Sequence, residues 1–158
     1  TGKRLVTLRF AAILHDIGKI HVPASVLFKP GPLDPAEWEL VRRHPLTGAE
    51  MIKDVPFLLE CVPIVRHHHE RWDGQGYPDG LAGAQIPEGA RLLCVADSLD
   101  SMTTQRRYAP DCTFAEAIAT IAALAGAQFD PEIVAALQQA WQDGRLQAIR
   151  SQGWQVSG

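Results

Sequence analysis

The chain has 158 residues, 46% of them apolar and 21% charged, which suits one domain with a sizeable core and excludes a disordered chain. Its net charge of −3 leaves no basic footprint for long nucleic acid, and no apolar run is long enough for direct membrane insertion. No secretory signal is visible, and Cys61, Cys94 and Cys112 read as reduced core residues rather than a disulfide frame, so the expected setting is the cytoplasm.

In chain order, Leu5, Leu8, Ala12 and His15 recur at helical spacing, widened by Phe10, Ile13 and Leu14. They predict a largely buried helix from Lys3 to about Asp16, which Gly18 stops just before Lys19. Taken alone, His15 and Asp16 also fit a core histidine and a turn residue. Val22 to Leu33, with Pro23, Pro30, Gly31 and Pro32, reads as a loop. Asp34, Pro35 and Glu37 carry the cap, first-turn proline and capping-box glutamate of the next helix. That helix reaches His44-Pro45, where the proline disfavours helical conformation at His44. The break either re-aims His44 or leaves Arg43-His44 as an exposed corner. A short helix resumes from Leu46 to Lys53.

Phe57 to His69 is expected as one helix that tells the three consecutive histidines apart. Phe57, Cys61, Ile64 and His68 share one stripe, and Leu58, Val62, Val65 and His69 share the adjoining one. His67 falls with Pro56, Glu60 and Pro63 on the wet side. His68 and His69 therefore point inward. After a Gly-rich loop from Asp73 to Gly80, Pro87 and Glu88 open a helix that is apolar until Asp97. A carboxylate inside such a helix pairs with an arginine or ligates a metal. Thr113 with Glu116, and Asp130-Pro131-Glu132, open two more helices that end near Gly126 and Gly144. The expected fold is all-α and bundle-like.

All six histidines lie at or before position 69. His15, Asp16, His44, His68, His69 and Asp97 fall on separate helices that could meet in one core. Imidazole and carboxylate without thiolate favour a first-row divalent ion such as iron, manganese, nickel or zinc. An aspartate such as Asp16 or Asp97 could bridge two ions, and a two-metal site suits phosphoester hydrolysis.

The ordered motifs HDIGK at 15–19, KPGPL at 29–33, RHP at 43–45, HHHERWDGQGYPDGL at 67–81, PEGARLLCVAD at 87–97 and QFDPEIV at 128–134 together resemble an HD-GYP domain. The resemblance covers roughly residues 5–140. It implies the helical bundle of the HD-domain type and a bacterial signalling phosphodiesterase that opens cyclic di-GMP to linear pGpG, sometimes continuing to GMP. Two or more divalent transition-metal ions are implied, commonly iron or manganese. Position by position, His15, Asp16, His44, His68, His69 and Asp97 match the family's metal ligands. Lys19 matches its lysine near the scissile phosphate, and with Asp16 forms the catalytic pair. Tyr77 of the Gly76-Tyr77-Pro78 triplet and Arg106 match substrate contacts.

Two departures stand out. The family carries a further metal-ligating histidine, and in some members a glutamate, before the His-Asp pair, whereas the 14 residues preceding His15 include no His, Asp or Glu. The domain, expected over 1–144 with a tail over 145–158, thus lacks its first helix or helices, or has an incomplete site. Ala109 stands where the family usually has a basic residue, and Arg107 where it often has proline. Two alternatives follow: an impaired module that binds cyclic di-GMP or a protein partner through the GYP loop, or a phosphodiesterase for another cyclic dinucleotide. A homodimer is compatible with either.

Overall fold

The computed structural model describes residues 2–104 and 112–146. Among them, the α-helices in chain order are α1 (Gly2–Leu14), α2 (Ala24–Leu27), α3 (Pro35–Arg42), α4 (His44–Ile52), α5 (Val62–His67), α6 (Glu88–Thr103), α7 (Phe114–Ala123) and α8 (Pro131–Gln142). Short 3-10 segments, Ile17–His21, Pro56–Cys61 and Gly83–Gln85, fill the breaks. Extended pairing among the described residues is limited to the bridges Asp73–Ala82 and Ala125–Phe129. The fold is all-α.

Local chemistry sets the helix starts. Asp34 accepts from the Glu37 amide at 2.9 Å, and the Glu37 carboxylate accepts from the Asp34 amide at 2.8 Å, which closes a capping box on α3. Thr113 and Glu116 repeat this on α7, and the Asp130 side chain caps α8.

Four expectations change, the first being that the loop expected from Val22 to Leu33 holds a one-turn helix, α2, started by Pro23 at its N-cap. Phe57 to His69 is two pieces, because Pro63 has no N–H and its ring clashes with the preceding turn, so it is accommodated in the first turn of α5. Three residues per turn in the segment before it align Leu58 with Cys61 toward the core, and Phe57 turns outward at 71% exposure. His44 is the first residue of α4 rather than an extended break, since Pro45 sits in the first turn, where a missing N–H leaves no hydrogen bond unmade. Finally, α1 is not a largely buried helix. Only Ala11 is buried along it, while Leu5, Val6, Phe10 and Ile13 are exposed. Periodicity identifies an apolar face, and whether another element covers that face is a tertiary question.

The core has two apolar clusters joined along α6. Ala90 and Leu93 pack with Ala11, Ile52, Cys61, Ile64 and Val65, whereas Val95 packs with Ile121, Phe129 and Val134. Arg91, between them, pairs with buried Asp130, bonds the Ile86 carbonyl at 3.0 Å and lies 5.7 Å from the Trp72 ring centre. Cys61, Cys94 and Cys112 are all unbridged.

Candidate active site

Four elements deliver the site. Asp16 follows α1 and leads into the 3-10 turn that carries Lys19, His44 opens α4, His68 and His69 leave α5, and Asp97 projects from α6. The approach of the 3-10 turn to α4 requires glycine, because a Cβ on Gly18 would lie 2.0 Å from the His44 carbonyl oxygen.

The imidazoles are oriented by their own helices. Nδ1 of His15, His44 and His68 lies 2.8, 2.7 and 2.7 Å from the carbonyl oxygens of Ala12, Val41 and Val65. A carbonyl only accepts, so in the neutral ring Nδ1 holds the proton and Nε2 turns its lone pair inward. His44 Nε2 and His68 Nε2 then face each other at 3.3 Å with no hydrogen between them. Oδ1 of Asp16, buried and without a hydrogen-bond partner among the described residues, lies 3.3 Å from His44 Nε2. Electron-rich atoms crowded in this way repel one another unless a cation sits among them.

The ligand atoms form two sets. Those of His44, His68 and His69 lie within 4.8 Å of one another, as do those of His15, Asp16 and His68. His68 belongs to both, so the structure brings five of the six expected residues into overlapping nitrogen and oxygen sets able to hold metal ions. Asp97 stands at their edge. Its side chain is 38% exposed and pairs with His15 Nε2 at 3.6 Å, rather than lying inside its helix against an arginine. His67 takes no part. It bonds the Pro63 carbonyl at 2.8 Å and Asp79 at 2.9 Å.

Electrostatics favour the ligating forms of His68, His69, Asp16 and Asp97. Burial and the neighbouring His69 push His68 down to about 3, while burial and His44 push His69 down to about 4, so both rings are neutral at physiological pH. Burial would raise Asp16, but the Lys19 ammonium and the neighbouring His15 outweigh it and hold the carboxyl well below its usual range. His15 holds Asp97 low in the same way, against the effect of burial. Burial would lower His15, yet Asp97, the Ala12 carbonyl and Asp16 together raise it. Lys19 Nζ reaches Asp16 Oδ2 at 2.6 Å, which leaves an ammonium beside the cluster.

A polar groove of about 440 Å³ opens from His69, lined by Arg42, Arg71, Gln75, Tyr77 and Gln128. Tyr77 stacks on His69 with centroids 4.9 Å apart, and burial pushes its phenol up to about 12. The loop that presents Tyr77 hangs on Glu70. This carboxylate, 2% exposed, accepts from the amides of Asp79 at 2.7 Å and Leu81 at 3.2 Å. Gly76 folds back so closely that a Cβ would lie 2.3 Å from the Arg71 nitrogen. A second groove of about 520 Å³, walled largely by apolar residues of α1, α5 and α6, touches none of the ligand residues. Of the two grooves, the polar one adjoins the ligand residues, through His69. Arg106 lies outside the described residues.

Glu70, Gln128 and Arg42 went unread in the sequence. Glu70 stands visibly inside the histidine-glycine motif, but its partners, nine and eleven residues on, follow no helical or strand period. Nothing in the local sequence of Arg42 or Gln128 marks a groove.

The HD domain family model matches residues 2–133. The chain is 42% identical over 131 residues to "Cyclic di-GMP phosphodiesterase" of Thermotoga maritima, covering 82% of this chain and 36% of that protein. It is 44% identical over 132 residues to "Cyclic di-GMP phosphodiesterase response regulator RpfG" of Xanthomonas campestris, covering 82% and 35%. To "3'3'-cGAMP-specific phosphodiesterase 2" of Vibrio cholerae it is 36% identical over 138 residues, covering 86% and 26%. Among solved structures, a cyclic GMP-AMP specific phosphodiesterase of V. cholerae superposes with a TM-score of 0.70 at 21% identity, covering 92% of this chain and 40% of that one. The chain thus spans about a third of the length of the first two relatives. No helix among the described residues is long and apolar enough to cross a membrane. With a helical fold that superposes on this phosphodiesterase, a family match over most of its length and relatives above 40% identity, the chain belongs to the HD-domain family, as a domain of the HD-GYP type.

Proposed function

We propose that this chain is the catalytic domain of a metal-dependent phosphodiesterase that opens cyclic di-GMP to linear pGpG, with GMP as the product of a second cleavage. The observation that carries the reading is the crowding of lone pairs from His44 and His68 against the unpartnered Asp16 oxygen, at the head of a polar groove. The names of relatives above 40% identity support the substrate.

His15, Asp16, His44, His68 and His69 hold the ions, Asp97 completes the set, and Asp16 is the bridging candidate. Two ions of iron or manganese suit these nitrogen and oxygen donors, with nickel or zinc as substitutes. Bound ions supply Lewis-acid polarisation of the phosphodiester and an acidified water. Lys19 neutralises charge on a phosphoryl oxygen as it builds in the transition state. Tyr77, set by its stack on His69, lies against the substrate. Water adds at phosphorus, the P–O3′ bond breaks, and O3′ takes up one proton. The reading sets the domain in cytoplasmic messenger signalling.

A second reading, cleavage of 3′,3′-cGAMP, is favoured by the 36% identity to a cGAMP-specific relative. Parallel turnover assays of metal-loaded protein on cyclic di-GMP, 3′,3′-cGAMP and cyclic di-AMP, with metal content by elemental analysis, test both. Two or more ions and fastest cleavage of cyclic di-GMP are expected. Faster cleavage of cGAMP moves the assignment to the second reading. Binding without cleavage in metal-loaded protein assigns a binding module instead.

A further inference from the structure

Arg42 is the last residue of α3, at the wall of the polar groove that opens from His69. Two guanidinium groups line this groove, and their circumstances differ. Arg71 is committed, since its Nε and Nη2 grip the two oxygens of Asp73 at 3.0 and 2.6 Å. Arg42 has no carboxylate partner among the described residues, and its guanidinium lies 5.3 Å from the centre of the Tyr77 ring. The remaining polar side chains of the lining, Gln75 and Gln128, are neutral amides. Lys19, the cation nearest the ligand cluster, is already paired with Asp16. Among the described residues the groove therefore presents one uncommitted planar cation, held by an aromatic face that itself rests on a ligand imidazole, and no carboxylate to answer it.

A cyclic dinucleotide carries two phosphodiesters of one negative charge each. When one lies at the ligand cluster, the other still has its charge, and in the groove it meets Arg42, the uncommitted cation among the described lining residues. A guanidinium fork matches two phosphate oxygens at once, which an ammonium cannot do.

We propose that Arg42 binds the phosphodiester that is not being cleaved, and so selects cyclic dinucleotides over esters with a single phosphate. The inference rests on the reading of the site as a cyclic-dinucleotide phosphodiesterase. Tyr77 positions the guanidinium, and His69 positions Tyr77, so substrate grip and the ligand cluster share one stack of side chains.

Steady-state kinetics on the metal-loaded chain test it, with cyclic di-GMP, cyclic di-AMP and bis(p-nitrophenyl) phosphate, an ester without a second phosphate. In Arg42→Ala, the ratio of kcat/KM on cyclic di-GMP to that on the bis ester falls at least tenfold, chiefly through KM. The same fall appears with cyclic di-AMP, and Arg42→Lys restores part of it. Equal losses on all substrates overturn the proposal, because Arg42 then only props Tyr77. A loss confined to cyclic di-GMP also overturns it, in favour of a contact to guanine, and so does no loss. If wild-type protein cleaves the bis ester but neither dinucleotide, the functional reading fails first and the proposal falls with it. If it cleaves nothing, equilibrium dialysis with cyclic di-GMP decides: tenfold weaker binding by Arg42→Ala upholds the anion contact, and unchanged or absent binding overturns it.

Discussion

Asp16 does two jobs with its two oxygens: Oδ2 holds Lys19 at 2.6 Å, and Oδ1 faces the His44 lone pair at 3.3 Å. A group so placed is replaced at the expense of metal and catalysis together, because a buried acceptor aimed at imidazole lone pairs has no role without a cation. Asp16→Ala is expected to lower metal content to below one ion per chain and turnover by at least a hundredfold, order-of-magnitude losses for such a residue. Elemental analysis beside a turnover assay checks this, and normal metal loading would remove Asp16 from the ligand set. The inward aim of His68 and His69 was legible from helical spacing. The pairing of Asp97 with His15 was not, because that contact joins α6 to the end of α1 across 82 positions of sequence.

Elements hold these residues in place through a tight backbone approach at Gly18 and a buried carboxylate at Glu70. Gly18→Ala puts a Cβ 2.0 Å from the His44 carbonyl oxygen and 2.6 Å from the Gly48 amide nitrogen, both backbone atoms that cannot swing aside. A loss of about 1–3 kcal/mol is expected from forced overpacking, read as a lower urea midpoint, and an unchanged midpoint would show that the two elements separate freely. Glu70 is the matching device for the Tyr77 loop. Glu70→Ala strands the amides of Asp79 and Leu81, each stranded donor costing about 1–3 kcal/mol if it stays dry. Faster hydrogen exchange across residues 76–82, with the helical core protected as before, is the expected signature, and unaltered exchange there would assign the loop another anchor. Capping boxes made the starts of α3 and α7 readable, since such signals are local and chemical. The split of Phe57–His69 at Pro63 was also written locally, but the outward turn of Phe57 needed the 3-10 geometry.

For the molecule as a whole, packing neutral imidazoles together ties stability to pH and metal. His68 and His69, at about 3 and about 4 in the fold, have an ordinary value of 6.5. As pH falls below 6.5 the unfolded chain takes up protons that these two folded rings refuse, so stability is full above that value and declines toward pH 4. His15 acts with the opposite sign, being raised, but it is one ring against two. The lowered Asp16 and Asp97 keep their contribution until the pH falls below the ordinary carboxylate range. The urea midpoint of chelator-treated protein is therefore expected to drop between pH 7 and pH 5, and a flat or rising profile would contradict the buried neutral rings. Manganese at a hundredfold excess over its Kd should add about 2.7 kcal/mol at pH 7 if it binds only the folded chain, with a smaller gain at pH 5, where protons compete for the ligands.

By itself, the sequence determined the helical class, the capped starts of α3, α7 and α8, the donor types and the inward histidines, because periodicity, capping and ligand chemistry are local properties of the chain. Tertiary structure alone decided that α1 keeps an open apolar face, that His68 is common to both ligand sets, and that Arg42 stands beside Tyr77 without a carboxylate among the described residues. Each of these depends on which distant segments come to lie side by side, and that information resides in packing rather than in spacing.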